Sequence, residues 1–301
     1  MKKEILYNKK SREILLKELQ NESFKRITCS FYRYTTIKEL EKFRDTLYRE
    51  WSTLKIYGRI YIAEEGINGQ FSCPQQNWES FKNNLQSHNA LKGMQIKIAL
   101  EEGESFYKLT IKIKDEIVAY GIDKNEYDMD ITGHHLSAKS FNEKLKDKNS
   151  LVVDMRNYYE SEVGHFDNAI IPDVDTSRDL LPEVKNLLKG HEKDEVLLYC
   201  TGGIRCEKAS SYLIKSGFQN VNQLKGGIIQ YSHDIKKEGL NSKFIGKNFV
   251  FDARLSERVT EDILSFCHQC GEPADQHLDC GNDACHILFI QCDKCNLKYS
   301  G

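Results

Sequence analysis

Val196-Leu197-Leu198-Tyr199-Cys200-Thr201-Gly202-Gly203-Ile204-Arg205-Cys206-Glu207-Lys208-Ala209-Ser210-Ser211-Tyr212-Leu213-Ile214 runs from a β pattern through a glycine-bearing loop into a helical pattern. A short apolar run bounded by turn residues fits a strand buried on both faces, which puts the loop at that strand's carboxyl end. Open α/β sheets bind ligands there. Loop N–H groups, the positive end of the next helix and the Arg205 guanidinium would converge on Cys200 and favour an anion. Thiolate and persulfide suit that site equally. The loop places four residues, Thr201 to Ile204, between Cys and Arg. A phosphatase loop needs one more to encircle phosphate, so the tighter loop points toward sulfane sulfur.

Leu151-Val152-Val153-Asp154-Met155-Arg156 reads as a second strand, and helical patterns lie around Pro182 to Leu188 and Cys206 to Ile214. Strands alternating with helices predict a parallel α/β sheet. Asp154 and Arg156 are expected to pair or cap within it. Arg178, in Thr176-Ser177-Arg178-Asp179, either reaches the pocket from a loop or remains a solvated charge. Arg205 either stabilises the anion or pairs with an acid. Cys206 is either a resolving thiol or a small packed residue.

From Phe24 to about Ile122 the signals are those of a different domain. Ile27 to Tyr32 reads as a strand. Leu40, Phe43, Leu47, Trp51 and Leu54 share one helix face by their spacing. Arg59 to Ala63 and Gln70 to Cys73 flank a Gly-rich turn, Trp78, Phe81 and Leu85 mark a second helix, and Gln95 to Leu100 and Tyr107 to Val118 supply further strands. That order matches a ferredoxin-like split βαβ unit, acting either in docking or in substrate binding. Lys108, Lys112 and Lys114 fall at even spacing on one strand face, suited to phosphates or to solvent. The expected boundaries are 1–122 for this domain, 123–146 for a polar connector, 147–243 for the α/β domain and 244–301 for a Cys-rich tail.

The tail holds Cys267-x2-Cys270, Cys280-x4-Cys285-His286 and Cys292-x2-Cys295. Two thiolates on one tight turn are half of a tetrahedral zinc site, so Cys267, Cys270, Cys292 and Cys295 form the simplest ligand set. Cys280 and Cys285, with His277 or His286, would begin a second. Four cysteines also satisfy an iron–sulfur cluster.

With 43 basic and 45 acidic residues among 301, the net charge is −2, which argues against a globally basic nucleic-acid binder but leaves room for a local basic face. No apolar stretch approaches bilayer length and no export signal is evident, so a soluble, cytoplasmic protein in a reducing compartment is expected. No flavin or nicotinamide fingerprint and no two-His-one-carboxylate grouping for iron is present.

Asp154 to Asn157, Glu160, Gly164-His165-Phe166, Ala169-Ile170, Cys200 to Arg205 and Gly226-Gly227-Ile228 together resemble a rhodanese domain. Cys200 to Lys208, preceded by Gly58-Arg59-Ile60-Tyr61-Ile62-Ala63-Glu64-Glu65-Gly66-Ile67-Asn68, resembles more narrowly the oxygen-dependent tRNA uridine-34 hydroxylase family. Its members join an acylphosphatase- or ferredoxin-like N-terminal domain to a rhodanese domain. The resemblance implies hydroxylation of the wobble uridine to 5-hydroxyuridine with molecular oxygen as co-substrate, on the anticodon region of tRNA. It also implies that Cys200 passes through a persulfide. A plain sulfurtransferase and a zinc-dependent RNA-binding adaptor are the competing readings. A wobble base must be unstacked to react, which directs attention to aromatics near Cys200, with Tyr158, Tyr159 and Tyr231 as candidates.

Overall fold

The computed structural model describes residues 6–282 and 287–299. They divide into two compact units. One runs to Ala119 and takes in Asp252–Arg254; the other holds Tyr120–Phe251 and continues from Leu255.

The first unit contains α1 (Arg12–Gln20), β1 (Arg26–Tyr34), α2 (Leu40–Thr53), β2 (Tyr57–Ala63), β3 (Gly66–Pro74), α3 (Trp78–Ser87), β4 (Lys97–Ile98) and β5 (Leu109–Ile113). Its sheet order, β4-β1-β3-β2-β5, is the ferredoxin-like order with a fifth strand added beside β2 in parallel. Alternation sends Cys29, Phe31, Ile60, Ile62, Ile67, Phe71, Leu109 and Ile111 to one face, where they meet Leu47 and Trp51 of α2 and Phe81 and Leu85 of α3. The apolar spacing of α2 is thus the one its sequence displays. The strand expected over Gln95 to Leu100 shrinks to β4, and α1, a polar helix with only Leu15 and Leu19 buried, gives little periodic signal.

The second unit contains β6 (His134–Leu136), α4 (Ala138–Lys144), β7 (Leu151–Asp154), α5 (Tyr158–Ser161), β8 (Gly164–Phe166), α6 (Ser177–Leu187), β9 (Glu195–Tyr199), α7 (Ile204–Lys215), β10 (Asn220–Leu224) and α8 (Gly227–Glu238). Strands β6-β10-β9-β7 form one parallel sheet. Central β9 is buried on both faces: Leu197 and Tyr199 join the cluster of α4 and α8, while Val196 and Leu198 turn to the other side. The stretch expected as connector, 123–146, is therefore only partly one. It includes edge strand β6 and α4, too short and polar to register as periodic segments.

Beyond α8, β11 (Phe244–Phe249) pairs with β8 and with β12 (Ser256–Arg258), and β13 (His277–Asp279) pairs with β14 (Leu288–Ile290) before α9 (Asp293–Tyr299). The Cys-rich tail is fastened to the α/β body. His268 meets Glu162, just past α5, at 2.8 Å across this join, while Asp275 binds Lys247 at 2.8 Å and Arg258 at 2.5 Å within the tail itself. Among the described residues, no helix is long and apolar enough to cross a membrane.

Candidate active site

Strand β9 delivers Cys200 directly into the turn that opens α7. The sulfur accepts the Gly203 N–H at 3.1 Å and is almost wholly buried, at 1% exposure. Burial alone pushes a thiol up, as it does for Cys29 and for Cys73, which reaches about 12. At Cys200 burial also acts upward, yet the Cys206 S–H, the Arg205 guanidinium and the N–H groups of Cys206 and Gly203 outweigh it and bring the thiol down to about 6. Cys206 pays the converse: burial and the neighbouring Cys200 hold it far above the ordinary range, so it stays a thiol that donates to the Cys200 thiolate.

A second helix closes the loop from behind. The N–H groups of Ile228 and Ile229, in the first turn of α8, donate to the carbonyls of Cys200 at 3.0 Å and Thr201 at 3.2 Å. Gly227, with φ +69°, makes this approach possible: a Cβ there would sit 2.5 Å from the Cys200 carbonyl and 2.7 Å from the Gly203 nitrogen. Gly203 itself takes φ +96° as it caps α7. Gly202 and Ile204 are partly exposed, and Thr201 is buried. Thr201 lies 3.5 Å from both Glu160 and the Phe249 carbonyl.

Arg205 does not swing freely over the sulfur. Its guanidinium grips the fully buried Glu160 in a bidentate pair, at 2.5 and 2.8 Å, and also donates to the Thr201 hydroxyl at 3.2 Å. Anion stabilisation and acid pairing, alternatives by sequence, are combined here, since the tethered charge still lowers Cys200. Glu160 is positioned by its own helix start, where it accepts the Asn157 N–H at 3.1 Å in a capping box.

Asp154 and Arg156 pair as expected, with no exposure, at 2.8 and 2.6 Å. Asp154 also accepts from Tyr199 at 2.7 Å and Ser161 at 2.8 Å, while Arg156 donates to the Gly164 carbonyl at 2.6 Å. The Arg156 guanidinium lies 5.7 Å from the Tyr199 ring and 5.6 Å from that of Phe244, and its Nη1, without a hydrogen bond, is left to these aromatic neighbours. The network ties the end of β9 to β7 and α5. It supports the loop without touching the sulfur.

Arg178 lies in the first turn of α6, not in a loop; it is exposed, with its stem against Gly121. Tyr231 is a core residue bonded to Asn142 at 2.8 Å, Tyr159 packs edge-on against Phe249 at 5.3 Å, and Tyr158 is 44% exposed. Tyr120 is an aromatic that sequence reading passed over. Fully interior, it donates to the Arg205 carbonyl at 3.1 Å from a segment that reads as a strand end. Glu207 holds His135 at 2.9 Å and Gln223 at 3.1 Å, fastening α7 to β6 and β10.

In the tail, the sulfurs of Cys267, Cys270, Cys292 and Cys295 lie within 4.8 Å of one another. The Cys270 and Cys292 sulfurs are 3.7 Å apart. A tetrahedral zinc with bonds of about 2.3 Å separates its sulfurs by about 3.8 Å, so the cluster fits such an ion. N–H groups of Cys292, Gln269 and Cys270 lower Cys267 to about 6, near the thiolate form a metal requires. The second set is not assembled among the described residues. His277 is buried edge-on against Phe249 at 5.1 Å, and burial drives it down to about 4, a neutral core imidazole. Cys280 stands past β13, and Cys285 and His286 lie outside the described residues. No disulfide joins the described cysteines.

Residues 26–117 match the family model described as the UPF0176 acylphosphatase like domain, 137–234 the rhodanese-like domain, and 245–301 the rhodanase C-terminal model. A protein of Leptospira interrogans serovar Lai, named tRNA uridine(34) hydroxylase, is 52% identical over 301 residues, covering 100% of this chain and 82% of that protein. One of the same name from Yersinia pestis strain Pestoides F is 46% identical over 299 residues, covering 99% of this chain and 84% of its own. A rhodanese-related protein of Thermoplasma volcanium aligns over 37% of this chain and 97% of its own at 22% identity, with a TM-score of 0.29.

Alkylation of Cys200 by iodoacetamide, followed by peptide mass spectrometry, should rise with pH through a midpoint near 6 and level off above neutrality. Cys206→Ala removes a donor to the thiolate and should move that midpoint upward; an unmoved midpoint would deny Cys206 this role. Glu160→Gln leaves the Arg205 charge buried without its partner and should cost about 3–5 kcal/mol in chemical denaturation.

Proposed function

The chain belongs to the tRNA uridine(34) hydroxylase family, and we propose that it hydroxylates the wobble uridine of tRNA to 5-hydroxyuridine, with Cys200 as the residue that carries the reaction. The observation behind this assignment is the setting of Cys200: its buried sulfur accepts the Gly203 N–H at 3.1 Å in the loop closed by an Arg205 that Glu160 fixes, and these donors bring the thiol down to about 6, which favours the thiolate. The thiolate is the form that accepts sulfane sulfur, and the same donors favour the anionic persulfide that results. Thr201 to Ile204 shape the pocket, Arg205 supplies fixed positive charge, and Cys206 donates to the sulfur. Molecular oxygen is the co-substrate and the anticodon region the part of tRNA engaged. Cytoplasm, where tRNA is matured, is the setting that fits.

Cys267, Cys270, Cys292 and Cys295 would hold one zinc ion. With four thiolate ligands it has no open coordination position, which makes it structural. The Cys267 and Cys295 side chains pack with Val163 and Ile290, so the ion would brace the segment that follows α5.

Nucleoside mass spectrometry of tRNA from cells lacking this protein should find 5-hydroxyuridine and its derivatives absent. Wild type should restore them and Cys200→Ala should not, with activity at least about a hundredfold lower. Full rescue by the alanine variant would refute the role of Cys200. Unchanged wobble uridines with brisk thiosulfate-to-cyanide transfer would instead assign a sulfurtransferase. Metal analysis of the purified chain should return about one zinc per chain, lost in Cys267→Ser along with much of its thermal stability.

A further inference from the structure

The face of the first unit's sheet turned away from its core carries a basic strip on β2 and β5. Ladder register aligns Gln70, Arg59 and Thr110 in one row and Asn68, Tyr61 and Lys112 in the next. Their neighbours Ile60, Ile62 and Ile111 point the other way, into the core, so the alternation of the pleat fixes this face as the outer one. Arg59, Lys108, Lys112 and Lys114 are exposed, and among the described residues no carboxylate forms an ion pair with any of them. The Lys114 ammonium stands 5.7 Å from the Tyr61 ring, which is partly exposed. Asp115 is the acid next in sequence. Alternate residues of a strand repeat at about 6.7 Å, so Lys112 and Lys114 present successive cations along one line.

Four exposed cations thus share one sheet face without an ion-paired carboxylate among the described residues, in a chain whose net charge is −2. They call for an anionic partner with regularly repeated charge. We propose that this strip binds the sugar-phosphate backbone of tRNA, with Arg59, Lys112 and Lys114 on phosphates and Tyr61 offering a ring to an exposed base or ribose. The proposal rests on the reading of the chain as a tRNA-modifying enzyme. The strip supplies affinity and carries no sequence information, because phosphate contacts position an RNA without reading it.

The test is tRNA binding by fluorescence anisotropy across a potassium chloride series, with hydroxylation kinetics on the same proteins. Substituting Arg59→Ala, Lys112→Ala and Lys114→Ala together should raise Kd and KM about tenfold or more at moderate salt. It should flatten the slope of log K against log salt by roughly 2 to 3. The single Lys112→Ala should lower that slope by about 0.7–0.9, and kcat at saturating tRNA should stay within about twofold. Unchanged affinity and slope in variants that melt like wild type would overturn the proposal. So would self-association of the variants in sedimentation with tRNA binding intact, since β5 is an edge strand and its lysines would then serve to repel a second copy. A wild-type chain that neither binds nor hydroxylates tRNA would refute the proposed function itself, an outcome distinct from a variant that behaves as wild type.

Discussion

The bidentate pair between Glu160 and Arg205 is the constraint on which the reactive loop depends. Arg205 must bring positive charge close to Cys200 without filling the space beside it. A buried carboxylate solves this by fixing the guanidinium from behind at 2.5 and 2.8 Å. Two buried charges are costly to desolvate, and the pair holds because its remaining hydrogen-bonding capacity is used: Asn157 and Thr201 bind Glu160, and Arg205 also reaches Thr201. The Asp154–Arg156 pair is a second buried bidentate pair, and it ties β7, α5 and the end of β9 together. The loop thus rests on two buried ion pairs.

Helix geometry completes what the pairs begin. The start of α7 points N–H groups at the Cys200 sulfur, and the start of α8 holds the carbonyls of Cys200 and Thr201. Donors are therefore aimed inward on one side of the backbone and acceptors are tied down on the other. The four-cysteine cluster closes the unit at its far sequence end, packing Cys267 and Cys295 against Val163 just after α5.

Much of this was legible in the sequence because it is local. The spacing of Leu47 and Trp51, the alternation in β2 and β3, the run of β9 into Cys200 and the paired cysteines at 267–270 and 292–295 each announce themselves within a few residues. What escaped depends on contacts across long sequence separations. Arg205 and Glu160 are 45 residues apart, and Tyr120 and Arg205 are 85 apart. Nothing near Tyr120 distinguishes it from an ordinary strand tyrosine. The strand His134–Leu136 was hidden because three residues at a sheet edge carry no period. His277 has a ligand's residue type in sequence, and its buried contact with Phe249 exists only in the fold.

Cys200 combines a low pKa with 1% exposure, and these pull in opposite directions. A thiolate is the form that attacks peroxides, and an accessible one climbs the oxidation ladder from sulfenic to irreversible sulfinic acid. Here the sulfur is acidic because of donors in the protein interior instead of contact with water. Acidity is thereby uncoupled from accessibility: the groups that lower Cys200 belong to the protein and act on the sulfur whether or not it meets water.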